Sequence, residues 1–261
     1  MHVGIITYQT GHLKTFQLIL KLLVNGHRIT LFAFPFKLRP AQQQTRFNDR
    51  PFQLIDLDMP EFCKRHGVHY VDVGGWQDGH SAALGCPGAP ETPAVFMTCI
   101  AKIIPAHFIK ERLILNCHPG LLPQNRGVDA FKWCVVNDWP FGITLHVIDE
   151  AIDRGRILHR MRIPVLPTDT LADVSQRAYH MEVDLMAAFD RYLPNNAHNW
   201  RVDDEHPLSK NLIPPEIDAR IEALFLEKRQ RFVDLSSDGT VQAHVADLSS
   251  HKRRNLKDGM R

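Results

Sequence analysis

Residues 3–34 constrain the fold more than any other part of the chain. A short apolar run, a helical repeat and a second apolar run follow one another there with little chain between them. Residues 3–7 (VGIIT) are continuously apolar apart from a glycine and a threonine, the pattern of a strand buried on both faces. Residues 13–24 set Leu13, Phe16, Leu20 and Leu23 at helical spacing, and Asn25-Gly26 stops the repeat as a left-handed cap does. Residues 28–34 (RITLFAF) read as the next strand. Strand, helix and strand within about thirty residues leave the two strands parallel, because a tight hairpin has no room for the helix. The expected class is therefore α/β, built on a mostly parallel central sheet.

The rest of the chain extends this pattern less regularly. Residues 35–60 are polar, arginine-rich and poorly periodic, which predicts a long loop with a short ordered segment over 52–57. A short helix over 61–66, a strand over 68–73 and a Gly/Pro-rich loop over 74–93 follow. Strands are expected over 94–99, 113–117, 143–148 and 157–165, with a helical turn at 105–109 and a short helix at 129–136. Residues 170–193 form a long helix capped by Thr168 or Asp169. From about residue 194 the character changes. Residues 215–231 make a charged amphipathic helix with proline near its start, and the chain from residue 234 is polar and loose. The helix carries Ile217, Ile221, Leu224 and Phe225 on one face, which must be buried on its own domain or on a second subunit. The expected organisation is one domain over 1–193 and a partly helical C-terminal extension over 194–261.

Composition removes several classes of function. A formal net charge of +2 is too small to point to nucleic acid. Cys63, Cys86, Cys99, Cys117 and Cys134 form no CxxC pair, so they read as free thiols of a reducing compartment rather than a disulfide or zinc framework. The N-terminus has no charged stretch before a long apolar run, and no apolar segment is long enough to span a bilayer. A cytoplasmic protein without a membrane partner is expected.

The polar chemistry gathers in two places. NCHPGLLPQNRG, residues 116–127, follows the apolar run Leu113, Ile114, Leu115. In a parallel sheet, ligands bind beyond the carboxyl ends of the strands, so this loop faces a crevice from a rigid post, with Pro119 and Pro123 limiting its backbone. The second cluster is GITLHVIDEAIDRGRIL, residues 142–158. Thr144, His146 and Ile148 alternate there with Ile143, Leu145 and Val147, and the loop beyond carries Asp149, Glu150, Asp153 and Arg154. A carboxylate from that loop beside His118 would fix the imidazole's tautomer and stabilise its cation. No HxH or HxxxH spacing supports a metal shell of His118, His146, Asp149 and Asp153, and no metal is expected. His146 reads as a structural histidine inside an alternating strand. Cys117 points away from its neighbours Asn116 and His118, and Arg156 and Arg160 read as solvated strand charges.

Asn116-x-His118-Pro119-x-Leu121-Leu122-Pro123 with Arg126-Gly127, followed by Gly142-x-Thr144-x-His146 and Asp153-x-Gly155-x-Ile157, resembles the folate-dependent formyltransferases. The likeness is best over residues 94–165 and extends loosely across 1–193. It implies a Rossmann-like catalytic domain, 10-formyltetrahydrofolate as formyl donor, and Asn116, His118 and Asp153 as the catalytic trio. In such a reaction an amine attacks the formyl carbon and an oxyanion forms. Asn116 would donate to that oxyanion, a contribution of about 3 kcal/mol. His118 would donate to it as a cation or take the amine proton, and Asp153 would support His118 or handle the proton through water. The resemblance also implies a folate pocket at Lys102, Ile103 and Ile104 and at Ile148, Asp149 and Asp153.

Three acceptors are usual in that family: initiator tRNA, glycinamide ribonucleotide and an amino sugar on a nucleotide. The C-terminal portion shows no run of strands of the kind the tRNA enzymes carry, and residues 7–14 (TYQTGHLK) depart from the Gly/Ser-rich loop of the ribonucleotide enzymes. Pro123-Gln124-Asn125-Arg126-Gly127 resembles a stretch of the sugar N-formyltransferases, with GDP-perosamine the favoured acceptor and O-antigen or other surface polysaccharide the destination. The expected acceptor contacts are Thr10, Gly11, His12 and Lys14 at the first strand's end, residues 39–50, and Gln124, Asn125 and Arg126 beside His118. A homodimer is expected by analogy. The alternatives are glycinamide ribonucleotide as acceptor, and a scaffold that binds folate or nucleotide sugar without turnover.

Overall fold

The computed structural model describes residues 1–35, 53–73, 92–100, 104–109, 112–150, 153–193 and 212–236. The βαβ unit lies where the sequence puts it: β1 (His2–Tyr8), α1 (Leu13–Val24) and β2 (Arg28–Phe34). β1 and β2 pair in parallel from His2↔Arg28 to Tyr8↔Phe34. Gly26, at φ +77°, turns the chain out of α1. Its N–H donates to the Leu23 carbonyl and that of His27 to the Leu22 carbonyl, which satisfies two of the helix's last acceptors.

The face that α1 buries is not the expected one. Lys14, Thr15, Leu18, Ile19 and Leu22 are buried, while Leu13, Phe16 and Leu23 are half-buried and Leu20 is exposed. The helix is apolar around most of its circumference, so spacing alone offers two stripes. Packing separates them: one lies toward the sheet, and Phe16 meets Phe62 edge-on at 5.2 Å between centroids.

Phe62 belongs to α2 (Met59–Arg65), which is followed by β3 (His69–Asp72), β4 (Val95–Thr98), α3 (Ala106–Ile109), β5 (Ile114–His118), α4 (Ala130–Asn137), β6 (Gly142–Val147), β7 (Ile157–Arg162), α5 (Leu171–Ala187), α6 (Pro215–Asp218) and α7 (Ile221–Ser236). Among the described residues seven strands form one sheet in the order β3-β2-β1-β4-β5-β6-β7. Pairing is parallel from β3 to β5, and β6 and β7 are antiparallel additions at one edge. Strand order reverses between β1 and β4, the place where an open α/β sheet leaves a crevice at its carboxyl edge. Successive strand residues face opposite sides, so Ile5 joins a large core with α1, α4, α5 and α7, and Ile6 joins a smaller one with Phe32, Phe96 and Phe108.

Helix ends correct the sequence reading in two places. The cap of α5 is Thr170, not Thr168 or Asp169. Its hydroxyl accepts the Asp173 N–H at 3.2 Å, and the Asp173 carboxylate accepts the Thr170 N–H at 2.8 Å, a reciprocal capping box. Asp169 instead takes a two-pronged bond from Arg177, at 2.7 and 3.0 Å, which holds its carboxyl below the usual range even though burial pushes the other way. The helix stops at Ala187, and Phe189–Tyr192 is a 3₁₀ turn. The single helix expected over 215–231 is two, α6 and α7, and the second runs on through Ser236 into residues expected to be loose. The Ser236 hydroxyl accepts the Val165 N–H at 3.1 Å, which pins that end.

α6 and α7 pack on the chain's own sheet domain. Ile221 and Phe225 of the expected apolar face are buried, and Phe225 and Phe232 stack together against Phe141. Lys132 of α4 and Asp218 of α6 form a buried ion pair at 2.6 Å. No helix among the described residues is long and apolar enough to cross a membrane.

Candidate active site

β5 delivers the first two groups. Leu115 and Cys117 turn into the large core, and Ile114 faces the small one. Strand alternation therefore puts Asn116 and His118 on the small-core side, and Cys117 points away from them as expected. The strand ends at His118 and the chain turns back at once. Gly120 makes that turn possible, since a Cβ there would lie 2.7 Å from the Asn125 carbonyl oxygen and 3.0 Å from His118 Nε2. Thr144, opposite His118 in β6, donates to the Gly120 carbonyl at 2.6 Å and accepts the Leu122 N–H at 3.0 Å. The turn is thus bonded to the neighbouring strand.

His118 is held at both nitrogens. Nε2 lies 2.7 Å from the backbone carbonyl of Asn125, which can only accept, so Nε2 carries a hydrogen. Nδ1 lies 3.4 Å from Asp153 Oδ2. Both nitrogens face acceptors, and a ring carrying a second proton meets both. Asp153 sits at φ +50°, a left-handed conformation that aspartate tolerates better than most residues. Its Oδ2 also accepts the Gly127 N–H at 3.0 Å. One carboxylate therefore ties the turn after β5 to the loop between β6 and β7, and the expected trio of Asn116, His118 and Asp153 comes together.

His146 belongs to the same cluster, which the sequence reading missed. β5 and β6 pair antiparallel with Asn116 opposite His146, and residues directly opposite share a face. His146 Nε2 is 3.3 Å from Asn116 Nδ2 and 3.8 Å from Asp153 Oδ1, and its ring is 6.5 Å from that of His118. Burial lowers the ring to about 4, against the pull of Asp153 and with the push of His118. His146 is therefore neutral at neutral pH. The available signal was the pair of period-two patterns, Asn116/His118 and Thr144/His146. They share one face only once the register is known.

Several expected acceptor contacts are not available as drawn. Asn125 is 2% exposed. Its amide donates to the Ala130 carbonyl at 2.6 Å and reaches Cys134 Sγ at 3.2 Å. Its backbone, not its side chain, serves the site, because the turn needs the amide to hold the start of α4. Lys14 is buried against Glu182 of α5 at 2.9 Å, so its charge is already matched. His12 is buried with Nδ1 3.0 Å from the Thr15 hydroxyl. At Gly11 the approaching backbone is the chain's own: a Cβ would run into the Ile55 carbonyl, and Ile55 N–H donates to the Gly11 carbonyl at 3.1 Å. The Leu13 N–H is taken by the Gln53 carbonyl and the Lys14 N–H by the Gln53 side chain. The start of α1, expected to receive a phosphate, is thus closed by residues 53–55. Thr10 and Gln124 are exposed. Arg126 is buried beside the cluster. Desolvation lowers its guanidinium, Arg154 adds to this, and Asp153 and Asp149 oppose it.

On the donor side, Ile104 is buried in the small core with Ile148 packed against that core, and Asp149 is exposed. Lys102, Ile103 and residues 39–50 lie outside the described residues. Arg160 is exposed, as expected of a solvated charge, and also donates to the Leu122 carbonyl at 3.1 Å, which braces the turn from β7. Among the described residues no group of three or more His, Cys, Asp or Glu suits a metal ion.

Residues 90–189 match the formyl transferase family. A chloroplastic phosphoribosylglycinamide formyltransferase of Vigna unguiculata is 33% identical over 121 residues, covering 43% of this chain and 39% of the relative. A GDP-perosamine N-formyltransferase of Brucella melitensis is 37% identical over 79 residues, covering 29% of this chain and 30% of the relative. The chain thus spans well under half the length of these curated relatives. A sugar N-formyltransferase from Shewanella sp. shares the fold with a TM-score of 0.55 over 85% of this chain and 87% of its own, at 19% identity. The matched segment contains β5, β6, the turn between Asn116 and Gly127, and Asp153.

Proposed function

We propose that the protein is a sugar N-formyltransferase that moves a formyl group from 10-formyltetrahydrofolate to the amine of a nucleotide-linked amino-dideoxy sugar, GDP-perosamine foremost, in the synthesis of surface polysaccharide such as O-antigen. The observation that carries the reading is the Asp153 carboxylate. It faces His118 Nδ1 and the Gly127 N–H together, on the strand face that also carries Asn116, so that an amide donor and an imidazole held by a carboxylate lie in one cluster. That is the equipment of acyl transfer to an amine: a donor for the developing oxyanion and a group that can hold a proton next to it. The amine attacks the formyl carbon, the oxyanion forms against the Asn116 amide, the amine's proton passes by way of the His118–Asp153 pair or water to the folate N10, and collapse breaks the C–N10 bond and expels tetrahydrofolate.

The folate would lie along the small core, with its pterin held by backbone groups near Ile104 and at Ile148, Asp149 and Asp153. Lys102 and Ile103 are proposed on the family resemblance alone. On the acceptor side, Thr10, Gln124 and Arg126 remain the proposed contacts, because Gly11, His12, Lys14 and Asn125 are engaged within the fold. A sugar nucleotide is favoured over glycinamide ribonucleotide because residues 7–14 depart from the Gly/Ser-rich loop of the ribonucleotide enzymes and residues 123–127 resemble a stretch of the sugar N-formyltransferases; the closed start of α1 denies that place to the phosphate of either acceptor. The similarity to the Vigna protein keeps the ribonucleotide as the second reading.

The test is incubation with 10-formyltetrahydrofolate and a panel of GDP-, UDP- and dTDP-linked amino sugars plus glycinamide ribonucleotide, read by mass spectrometry for formyl gain. Formylation of GDP-perosamine is expected. Reaction of glycinamide ribonucleotide alone would refute the sugar assignment and keep formyl transfer. Folate binding without turnover of any acceptor would favour the non-catalytic scaffold.

A further inference from the structure

Resting on the formyl-transfer reading, we infer that His146 is a positioning residue: a neutral imidazole whose bare Nε2 accepts a hydrogen bond from Asn116 and thereby aims the Asn116 amide at the reacting carbonyl. Three observations converge on it. The register sets the two residues directly opposite each other on one face, with 3.3 Å between His146 Nε2 and Asn116 Nδ2. The other ring nitrogen, Nδ1, lies 3.1 Å from the backbone carbonyl of Val147. A carbonyl can only accept, so the hydrogen of a neutral ring sits on Nδ1 and Nε2 presents a lone pair. His146 is 1% exposed, so water does not compete for that lone pair.

The consequence for Asn116 is specific. An amide can present either its NH₂ or its oxygen to a neighbour, and the wrong choice would turn an acceptor toward the oxyanion. A bare Nε2 admits only the NH₂. One amide hydrogen is thereby spent on His146, and the amide plane is fixed. Among the described residues the Asn116 side chain has no other hydrogen-bond partner, so this contact alone sets its orientation there. The second hydrogen stays available to the substrate oxygen. His146 touches no reacting atom in this arrangement. It acts through Asn116, whereas Asp153 acts through His118, and each hydrogen-bonding group of the site has its own support.

Two measurements test this. The first is independent of turnover. In ¹⁵N-labelled protein at pH 7, histidine side-chain correlations should show His146 as the neutral tautomer with hydrogen on Nδ1. An imidazolium or an Nε2–H tautomer would overturn the inference, whatever reaction the protein catalyses. The second is a double-mutant cycle with 10-formyltetrahydrofolate and GDP-perosamine. His146→Phe should lower kcat by about 10- to 100-fold with little change in KM, the scale expected for a misaimed catalytic group. His146→Gln, whose amide oxygen can take the Asn116 hydrogen, should recover most of that loss and keeps the test open should the phenylalanine variant fold poorly. In an Asn116→Ala background either substitution should cost less than about twofold, since there is no amide left to aim. Equal losses in both backgrounds, or a glutamine variant as slow as the phenylalanine one, would refute the positioning role. A wild-type protein that formylates nothing would refute the proposed function instead, and leaves the tautomer measurement in force.

Discussion

Replacing Asp218 by alanine should destabilise the protein by about 3 kcal/mol, a large share of the roughly 5–15 kcal/mol that holds a domain together. Lys132 is 0% exposed and its ammonium lies 2.6 Å from Asp218 Oδ1. Removing the carboxylate leaves a desolvated positive charge. The usual loss for breaking a buried pair is about 3–5 kcal/mol. Here a second carboxylate softens it, because Asp129 Oδ1 is 3.9 Å from the same ammonium. It cannot simply replace Asp218, since Asp129 Oδ2 already accepts the Ile213 N–H at 2.9 Å, so the low end of the range is expected. Urea unfolding at pH 7, followed by tryptophan fluorescence, reads the change; with a slope of about 2–3 kcal/mol per molar, the midpoint should fall by about 1–1.5 M. The double variant Lys132→Met with Asp218→Leu removes both charges and should recover most of the loss. A single variant that loses under about 1 kcal/mol, or a double variant as weak as the single one, would refute the view that this pair fastens α6 to α4.

Three further outcomes follow from the site and its frame. Asn116→Ala, His118→Ala and Asp153→Asn should each lower turnover by about two orders of magnitude or more in steady-state assays while the circular dichroism spectrum stays native; near-normal turnover in a folded His118→Ala protein would contradict the mechanism. Stability should fall on acidification through His146. Its folded value of about 4 lies below the free value of 6.5, so the unfolded chain takes the proton first, and the contribution, complete above pH 6.5, drains as pH falls toward 4. The gap amounts to about 3 kcal/mol. His146→Gln should unfold with a visibly shallower pH slope over that window in urea titrations, and identical slopes would count against a buried neutral ring. Thr170→Ala should cost about 1 kcal/mol by removing the α5 cap, measured as a lowered thermal midpoint; no change would mean that Asp173 or water fills the role.

The sequence by itself determined the class of fold and singled out the two polar motifs that the fold brings together. Continuous apolar runs on either side of a 3.6-residue repeat leave few options, and β1, α1 and β2 fall within a residue of their expected bounds. The two polar motifs were legible because their residue types are concentrated at strand ends, where side chains reach a ligand and backbone groups are not all consumed by the ladder. What the sequence could not fix was which residues meet across the chain. His146 became part of the site only through the register that sets it opposite Asn116; a slip of one residue would turn it to the other face. Lys14 looked like a phosphate ligand until α5 brought Glu182 to it across 168 positions, and Gly11 looked open until Ile55 closed over it. Asn125 likewise turned its amide inward to Ala130 and left its backbone carbonyl to His118. Local pattern reports which side of an element is apolar, because that depends on the element's own geometry. Partners of buried polar groups are chosen by desolvation, which requires each one to find a mate among whatever the folded chain brings within 3 Å or so, and only the tertiary structure decides that.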